Sequence, residues 1–197
     1  MQSIHTFVIC AYKNSPFLDS SIESILSQTV KSDVLISTSS PNDHIRDAAR
    51  KYGLHVTVNR EKSGIAGDWN HAYKAAKTDF ITLAHQDDVY ESQFTEKTLC
   101  ALSKSKRPVI AFTDCFELRE EQRIFDNKLL RIKRIMQAPL RAAPNSRFVR
   151  NRILSFGNPI CCPAVTYNKK RFPEIRFKTH YKNSMDWEAW CRLAKER

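Results

Sequence analysis

Between Asn127 and Pro173 the sequence contains no acidic residue, yet Lys128, Arg131, Lys133, Arg134, Arg141, Arg147, Arg150, Arg152, Lys169, Lys170 and Arg171 all fall inside that stretch. The formal net charge of +11 therefore reflects a basic segment rather than a uniformly basic chain. Its partners are expected to carry negative charge: nucleic acid, anionic lipid or phosphorylated substrates. Long apolar runs are missing as well, none approaching the roughly 20 residues of a membrane-spanning helix. Met1-Gln2-Ser3-Ile4-His5 leads straight into strand-like sequence, without the basic, apolar and small-residue regions of a secretory signal. The expected location is the cytoplasm, with the basic segment available for peripheral contact at the inner face of an anionic membrane. The six cysteines include no C-x-x-C element with matching histidines, so a structural zinc site is not expected. They are read as buried, reduced thiols, and the neighbours Cys161 and Cys162 cannot easily bridge each other without strain. Helix-turn-helix, zinc-finger and RNP-like patterns are absent, so only the charge argues for nucleic acid. Repeats, low-complexity tracts and an interdomain linker are absent too.

What is present suits one globular domain: 197 residues, 42% apolar and 10% aromatic, enough to build a core. Short aliphatic runs alternate with amphipathic patterns in the order βαβα, the signature of a mostly parallel sheet with helices on both faces. Thr6 to Ala11 reads as a buried strand, followed by a helix that opens at Ser15-Pro16 and runs to about Gln28. Val34 to Ser37 is a second strand, Asn42-Asp43 caps a helix ending at Tyr52-Gly53, and Leu54 to Val58 is a third strand. A helix entered through Ser63-Gly64-Ile65-Ala66-Gly67 carries Trp69, Ala72, Tyr73 and Ala76 on one stripe, and Phe80 to Ala84 forms a fourth strand. Beyond it come a helix from about Ser92 to Ser105, a strand Val109 to Thr113 and a helix marked by Leu129, Leu130, Ile132, Ile135 and Met136. A loop at Asn158-Pro159 and Cys162-Pro163 precedes Ala164 to Tyr167, and a closing amphipathic helix with Trp187, Trp190, Cys191 and Ala194 runs to the last residue.

Asp87-Asp88 follows the fourth strand directly, so both carboxylates should project at the C-terminal edge of the sheet, where open α/β folds place their ligands. Two hard oxygen donors there suit Mg2+ or Mn2+ against a diphosphate; the plainer alternative is a solvated turn that caps the next helix. Beside them His85 is either a nitrogen ligand or a hydrogen-bonding side chain at a strand end. Asp186 taken alone is an acid favoured by a helix N-terminus. Trp69, Trp187 and Trp190 lie on apolar stripes, where core packing is the usual explanation over sugar stacking. A nucleotidyltransferase would use similar acids, but Ala11-Tyr12-Lys13-Asn14 is not the glycine- and basic-rich phosphate loop it needs.

Four segments, in order, make the chain resemble a family 2 glycosyltransferase of the GT-A fold from Phe7 to Lys195. They are Phe7 to Asn14 with Ser21 to Thr29, then Gly64-Ile65-Ala66-Gly67-Asp68-Trp69-Asn70, then His85-Gln86-Asp87-Asp88, and finally Met185-Asp186-Trp187-Glu188-Ala189-Trp190. The resemblance implies a Rossmann-like GT-A sheet whose nucleotide-binding half covers about residues 1–90 and whose acceptor-side half covers about 91–197. It implies transfer, with inversion, from a nucleotide sugar (UDP- or dTDP-linked) to a glycan or lipid-linked acceptor in polysaccharide biosynthesis, with no nucleic acid involved. Ala11, Tyr12, Asn14, Thr38, Ser39, Asp68, Asn70, His85, Gln86 and Asp87 are expected to bind the donor, and Asp87, Asp88 and His85 to hold Mn2+ or Mg2+. Asp186 is the expected catalytic base, with Glu188 as the fallback, and Asn158 and Trp187 line the acceptor side.

The sequence departs from the family pattern in three places. Thr38-Ser39-Ser40-Pro41 replaces an Asp-Asp pair that grips the nucleotide, His85 replaces the leading Asp of the metal motif, and Met185 replaces the leading Glu of the late motif. Family members also commonly continue past the late helix, so the chain reads as a short or truncated member.

Overall fold

The computed structural model describes residues 3–61, 64–120 and 122–196. Strands β1 (His5–Ala11), β2 (Asp33–Thr38), β3 (His55–Val58), β4 (Phe80–His85), β5 (Ile110–Phe112) and β8 (Val165–Asn168) form one sheet in the order β3-β2-β1-β4-β8-β5. The first four are parallel neighbours, and β8 runs antiparallel to both β4 and β5. The sheet is therefore mostly parallel, with one reversed strand inserted near its edge. Strands β6 (Glu117–Arg119) and β7 (Gln122–Ile124) make a separate hairpin.

Period-two alternation along β1 decides which side chain enters which core. Phe7, Ile9 and Ala11 pack with Leu18, Ile22 and Ile25 of α1 (Leu18–Leu26) and with Ile45, Ala48 and Ala49 of α2 (Asp43–Tyr52). Val8 faces the opposite layer, where Ala72 and Tyr73 of α3 (Gly64–Ala75) meet Ala189, Trp190 and Leu193 of α7 (Met185–Leu193). Helices thus cover both faces, as a parallel sheet requires. The remaining helices are α4 (Phe94–Ser103), α5 (Lys128–Ala142) and α6 (Arg147–Phe156).

Several boundaries differ from the sequence expectation. Helix α1 begins at Leu18, because Ser15 Oγ accepts from the Phe17 N–H and holds a turn before the helix. The Asn42 cap and Gly53 exit of α2 are as expected: Asn42 accepts from the Ile45 N–H, and Gly53 sits at φ 65°. Leu54 belongs to that exit, donating its N–H to Ala49, so β3 starts one residue later. Helix α7 ends at Leu193 and not at the last residue. The expected helix entry at Ser63 lies outside the described residues, whereas Gly64 beside it takes φ +70°, a left-handed conformation that favours glycine. Helix α6 and the β6–β7 hairpin were not expected.

The cysteines require a correction. Cys115 and Cys161, 46 residues apart, are joined in a disulfide, and Cys100 is exposed, so six buried reduced thiols is not the arrangement. Sequence distance hid the pairing, because β5 and the turn before β8 bring those two segments together only in three dimensions. Among the described residues no helix is long and apolar enough to cross a membrane.

Candidate functional site

The C-terminal ends of β1, β2 and β4 lie side by side, in register Cys10 with Ser37 and with His85. Everything that follows these three residues in sequence therefore emerges at one edge of the sheet. After β4 a tight turn, with the Asp88 N–H donating to the His85 carbonyl, gathers His85, Asp87 and Asp88 so that one ligand-capable atom from each lies within 4.8 Å of the others. His85 Nδ1 stands 3.3 Å from Asp88 Oδ2. Its Nε2 is buried and has no hydrogen-bond partner among the described residues, a costly condition for a polar atom unless something binds it. The Trp69 ring stacks on the imidazole at 5.4 Å with an interplanar angle of 18°, and Ser21 donates to the His85 carbonyl. Helices α3 and α1 thus fix His85 from two sides. One imidazole nitrogen and two carboxylates form a donor set that fits a hard or borderline divalent cation.

The turn after β1 is held by Gln86. Its Oε1 accepts from the Tyr12 N–H at 2.9 Å and its Nε2 donates to the Tyr12 carbonyl at 3.0 Å, so the amide braces the strand end while the Tyr12 ring stays exposed. Lys13 adopts φ 55°, donates its N–H to Ser40 Oγ at 2.8 Å, and with Asn14, Ser40, Pro41 and Asn42 lines an open depression of about 590 Å³. A non-glycine residue in the left-handed region costs on the order of 1 kcal/mol, and such positions cluster at functional turns. Ala11 points into the core, and Thr38 is buried.

Where the sequence lacks an Asp pair after β2, a carboxylate arrives from another element. Asp68 on α3 accepts from Ser39 Oγ and from Asn59 Nδ2, each at 2.8 Å, and so ties the ends of β2 and β3 to the helix. Asn59 was not singled out in the sequence, and nothing local marks it. Asn70, two residues further along α3, has a different job: its amide donates to the Phe177 carbonyl and accepts from the Phe177 N–H, both at 2.8 Å.

Asp186 stands in the first turn of α7 and accepts from Asn158 Nδ2 at 3.0 Å, which brings the expected base together with an expected acceptor-side residue. The half-buried Cys162 thiol is pushed well above its ordinary range, first by burial and then by Asp186, Cys10 and Asp88. Glu188 is differently placed. Burial pushes its carboxyl up, but hydrogen bonds from Lys178 and Arg192 outweigh that and leave it below the ordinary value. With Lys178 at 2.7 Å and Arg192 at 3.3 Å it is locked in an ion cluster. Trp187 donates its indole N–H to the Leu154 carbonyl at 2.9 Å, fastening α7 to α6. A cavity of about 960 Å³ lies elsewhere: it is lined by β5 and the inner faces of α5 and α6, and its lining includes none of His85, Asp87, Asp88 or Asp186.

Comparison with known proteins gives three kinds of finding. The family model described as "Glycosyl transferase family 2" matches residues 6–175. No curated protein matches the sequence. Among solved structures, TarS 1-349 of S. aureus is similar at 17% identity and TM-score 0.64, with 99% of this chain covered and 55% of that one. The mannosyltransferase PcManGT from Pyrobaculum calidifontis, in complex with GDP-Man and Mn2+, aligns at 13% identity and TM-score 0.66, covering 98% and 52%. Glucosyl-3-phosphoglycerate synthase from Mycobacterium tuberculosis, in complex with Mn2+ and UDP-glucose, aligns at 14% identity and TM-score 0.62, covering 98% and 66%. At these identities the likeness shows the fold, which is GT-A; the chain spans about half the length of the first structures it matches.

Proposed function

The chain belongs to glycosyl transferase family 2, and from that premise we propose that it moves a sugar from a nucleoside diphosphate to a hydroxyl of a glycan or lipid-linked acceptor, with inversion. The observation that carries this reading is the convergence at one sheet edge of His85, Asp87 and Asp88, with one ligand-capable atom from each within 4.8 Å of the others. Donors seen in similar structures, UDP-glucose and GDP-Man, each with Mn2+, support a nucleotide-sugar substrate. A uridine or thymidine diphosphate is the preferred form. The depression beside Lys13 and Asn14 suits the nucleotide, and Asp68, presented at the ends of β2 and β3, offers a carboxylate to ribose or base donors in place of the absent Asp pair.

Mn2+ or Mg2+ held by Asp87, Asp88 and His85 would neutralise charge on the departing diphosphate. Asp87 is the main ligand, being the exposed member, while His85 is pre-oriented by Trp69 and by Asp88. Asp186 is the base. Its carboxylate takes the acceptor's hydroxyl proton as that oxygen bonds to the anomeric carbon, and the bond from that carbon to the diphosphate breaks with the electron pair leaving on phosphate. Asn158 holds one Asp186 oxygen and leaves the other for the proton. The half built on β1–β4 serves the donor, and the remainder serves the acceptor.

The decisive experiment is a screen of nucleotide sugars for hydrolysis with Mn2+ or Mg2+ present. Turnover of one or a few donors, abolished by chelation, is expected; stable binding of none and hydrolysis of none would overturn the reading.

A further inference from the structure

Helices α5 and α6, joined by a four-residue connection from Ala143 to Ser146, turn their inner faces to one cavity. Gln137, Leu140 and Arg141 of α5 and Arg150 and Leu154 of α6 all line it. Their outer faces have an unusual composition. On α5 Ile132 and Ile135 are 46% and 67% exposed, and on α6 Phe148 and Phe156 are 78% and 66% exposed. Helical spacing places Ile132 and Ile135 together with Lys128 and Arg131, and Phe148, Arg152 and Phe156 in a second row. The Arg152 guanidinium lies 4.6 Å from the Phe156 ring centre.

No acid interrupts either row, because the sequence has none from Lys128 to Phe156. The nearest, Asp126, is engaged by Arg131. Exposed branched and aromatic side chains interleaved with cations, on paired helices, are the pattern of an interfacial surface: apolar groups enter the headgroup region while cations meet anionic lipid. A second copy of the chain would bring like charge against like charge. Nucleic acid would use the cations but leave Ile132 and Ile135 in water. We propose that the outer face of the α5–α6 hairpin seats on the surface of an anionic lipid bilayer. This extends the reading of a lipid-linked acceptor, yet the surface stands without the transfer reaction, and its test contains no donor.

The whole chain is sedimented with large vesicles of phosphatidylcholine alone and of phosphatidylcholine mixed with phosphatidylglycerol. Binding to the mixed vesicles, at least tenfold weaker on neutral ones and weakened by salt, is expected. The Ile135→Ser/Phe148→Ser/Phe156→Ser variant should lose at least tenfold of that binding with an unchanged melting temperature. If the triple variant melts lower, Phe148→Ser alone, at the most exposed ring, gives the same decision through a several-fold loss. Equal binding to both vesicle types, binding to neither, or binding indifferent to the serine substitutions would each overturn the proposal. So would a dimer in sedimentation velocity that the same substitutions dissolve, which would assign the face to a second copy.

Discussion

Asp87 is the exposed member of the cation-ready cluster, and its neighbours are already engaged: Asp88 with His85, and Gln86 with the Tyr12 backbone. Asp87→Ala should therefore remove the ligand with the least alternative duty. An activity loss of about 100-fold or more, the equivalent of a few kcal/mol of leaving-group stabilisation, is expected together with a drop in Mn2+ affinity seen by titration of the free ion. Activity and Mn2+ affinity both within a few-fold of the parent protein would refute the assignment. Asp186 and Glu188 make a second contrast. Two residues apart on α7 they point about 200° apart, and Lys178 with Arg192 already hold Glu188. Asp186→Asn should lower turnover about 10²–10⁴-fold with donor and Mn2+ binding nearly intact, while Glu188→Gln should be mild in turnover. The reverse pattern in paired turnover and binding measurements would make Asp186 a structural acid. At this scale the acids could be singled out in the sequence only through the family resemblance, because a carboxylate pair after a strand reads equally as a solvated turn and Asp186 alone as a helix N-terminal acid. Their pairings were not legible: Asn158 meets Asp186 across 28 residues, and Ser39 meets Asp68 across 29.

Elements differ in how plainly their sequence announces them. The helices that pack on β1 show regular apolar spacing because a whole face is buried, and they were readable. Helix α6 was not, since Leu154 is its only fully buried residue and Phe148 and Phe156 face outward; its periodicity describes two surfaces at once. The three-residue strands β6 and β7 are too short to show alternation. One contact between elements is open to direct test. Asn70 on α3 satisfies both backbone groups of Phe177, 107 residues away, beneath the Trp69–Phe177 ring contact that backs His85. Asn70→Ala leaves a half-buried N–H and carbonyl unpaired, at about 1–3 kcal/mol. Urea unfolding should report a loss of about 2 kcal/mol with Mn2+ affinity little changed; a loss under about 0.5 kcal/mol would show that water replaces the amide without cost.

For the whole molecule, one source of pH dependence is His5, fully buried at the start of β1 with Nδ1 against Ser32 at 2.8 Å and Nε2 against Thr82 at 3.0 Å. Burial lowers its pKa from 6.5 to about 3. Below 6.5 the unfolded chain takes up a proton that the native state refuses until about 3. Its contribution is thus fully present above pH 6.5 and declines as pH falls through that window, by up to about 1.4 kcal/mol per pH unit. Unfolding measured from pH 7 down to 4.5 should show a shallower slope for His5→Asn than for the parent; equal slopes would remove His5 as the cause. The βαβα order of the first half, the mostly parallel sheet and the acid pair directly after β4 were determined by the sequence itself, since burial period, strand-end acids and caps are local properties of neighbouring residues. Only the tertiary structure decided that β8 enters the sheet reversed between β4 and β5 and that Asp186 meets Asn158. It alone joined Cys115 to Cys161, delivered Asp68 to the place left by a missing Asp pair, and turned the apolar and basic residues of α5 and α6 outward. Each of these depends on contacts between segments far apart in the chain, and the free energy of such contacts is a property of packing that no window of sequence contains.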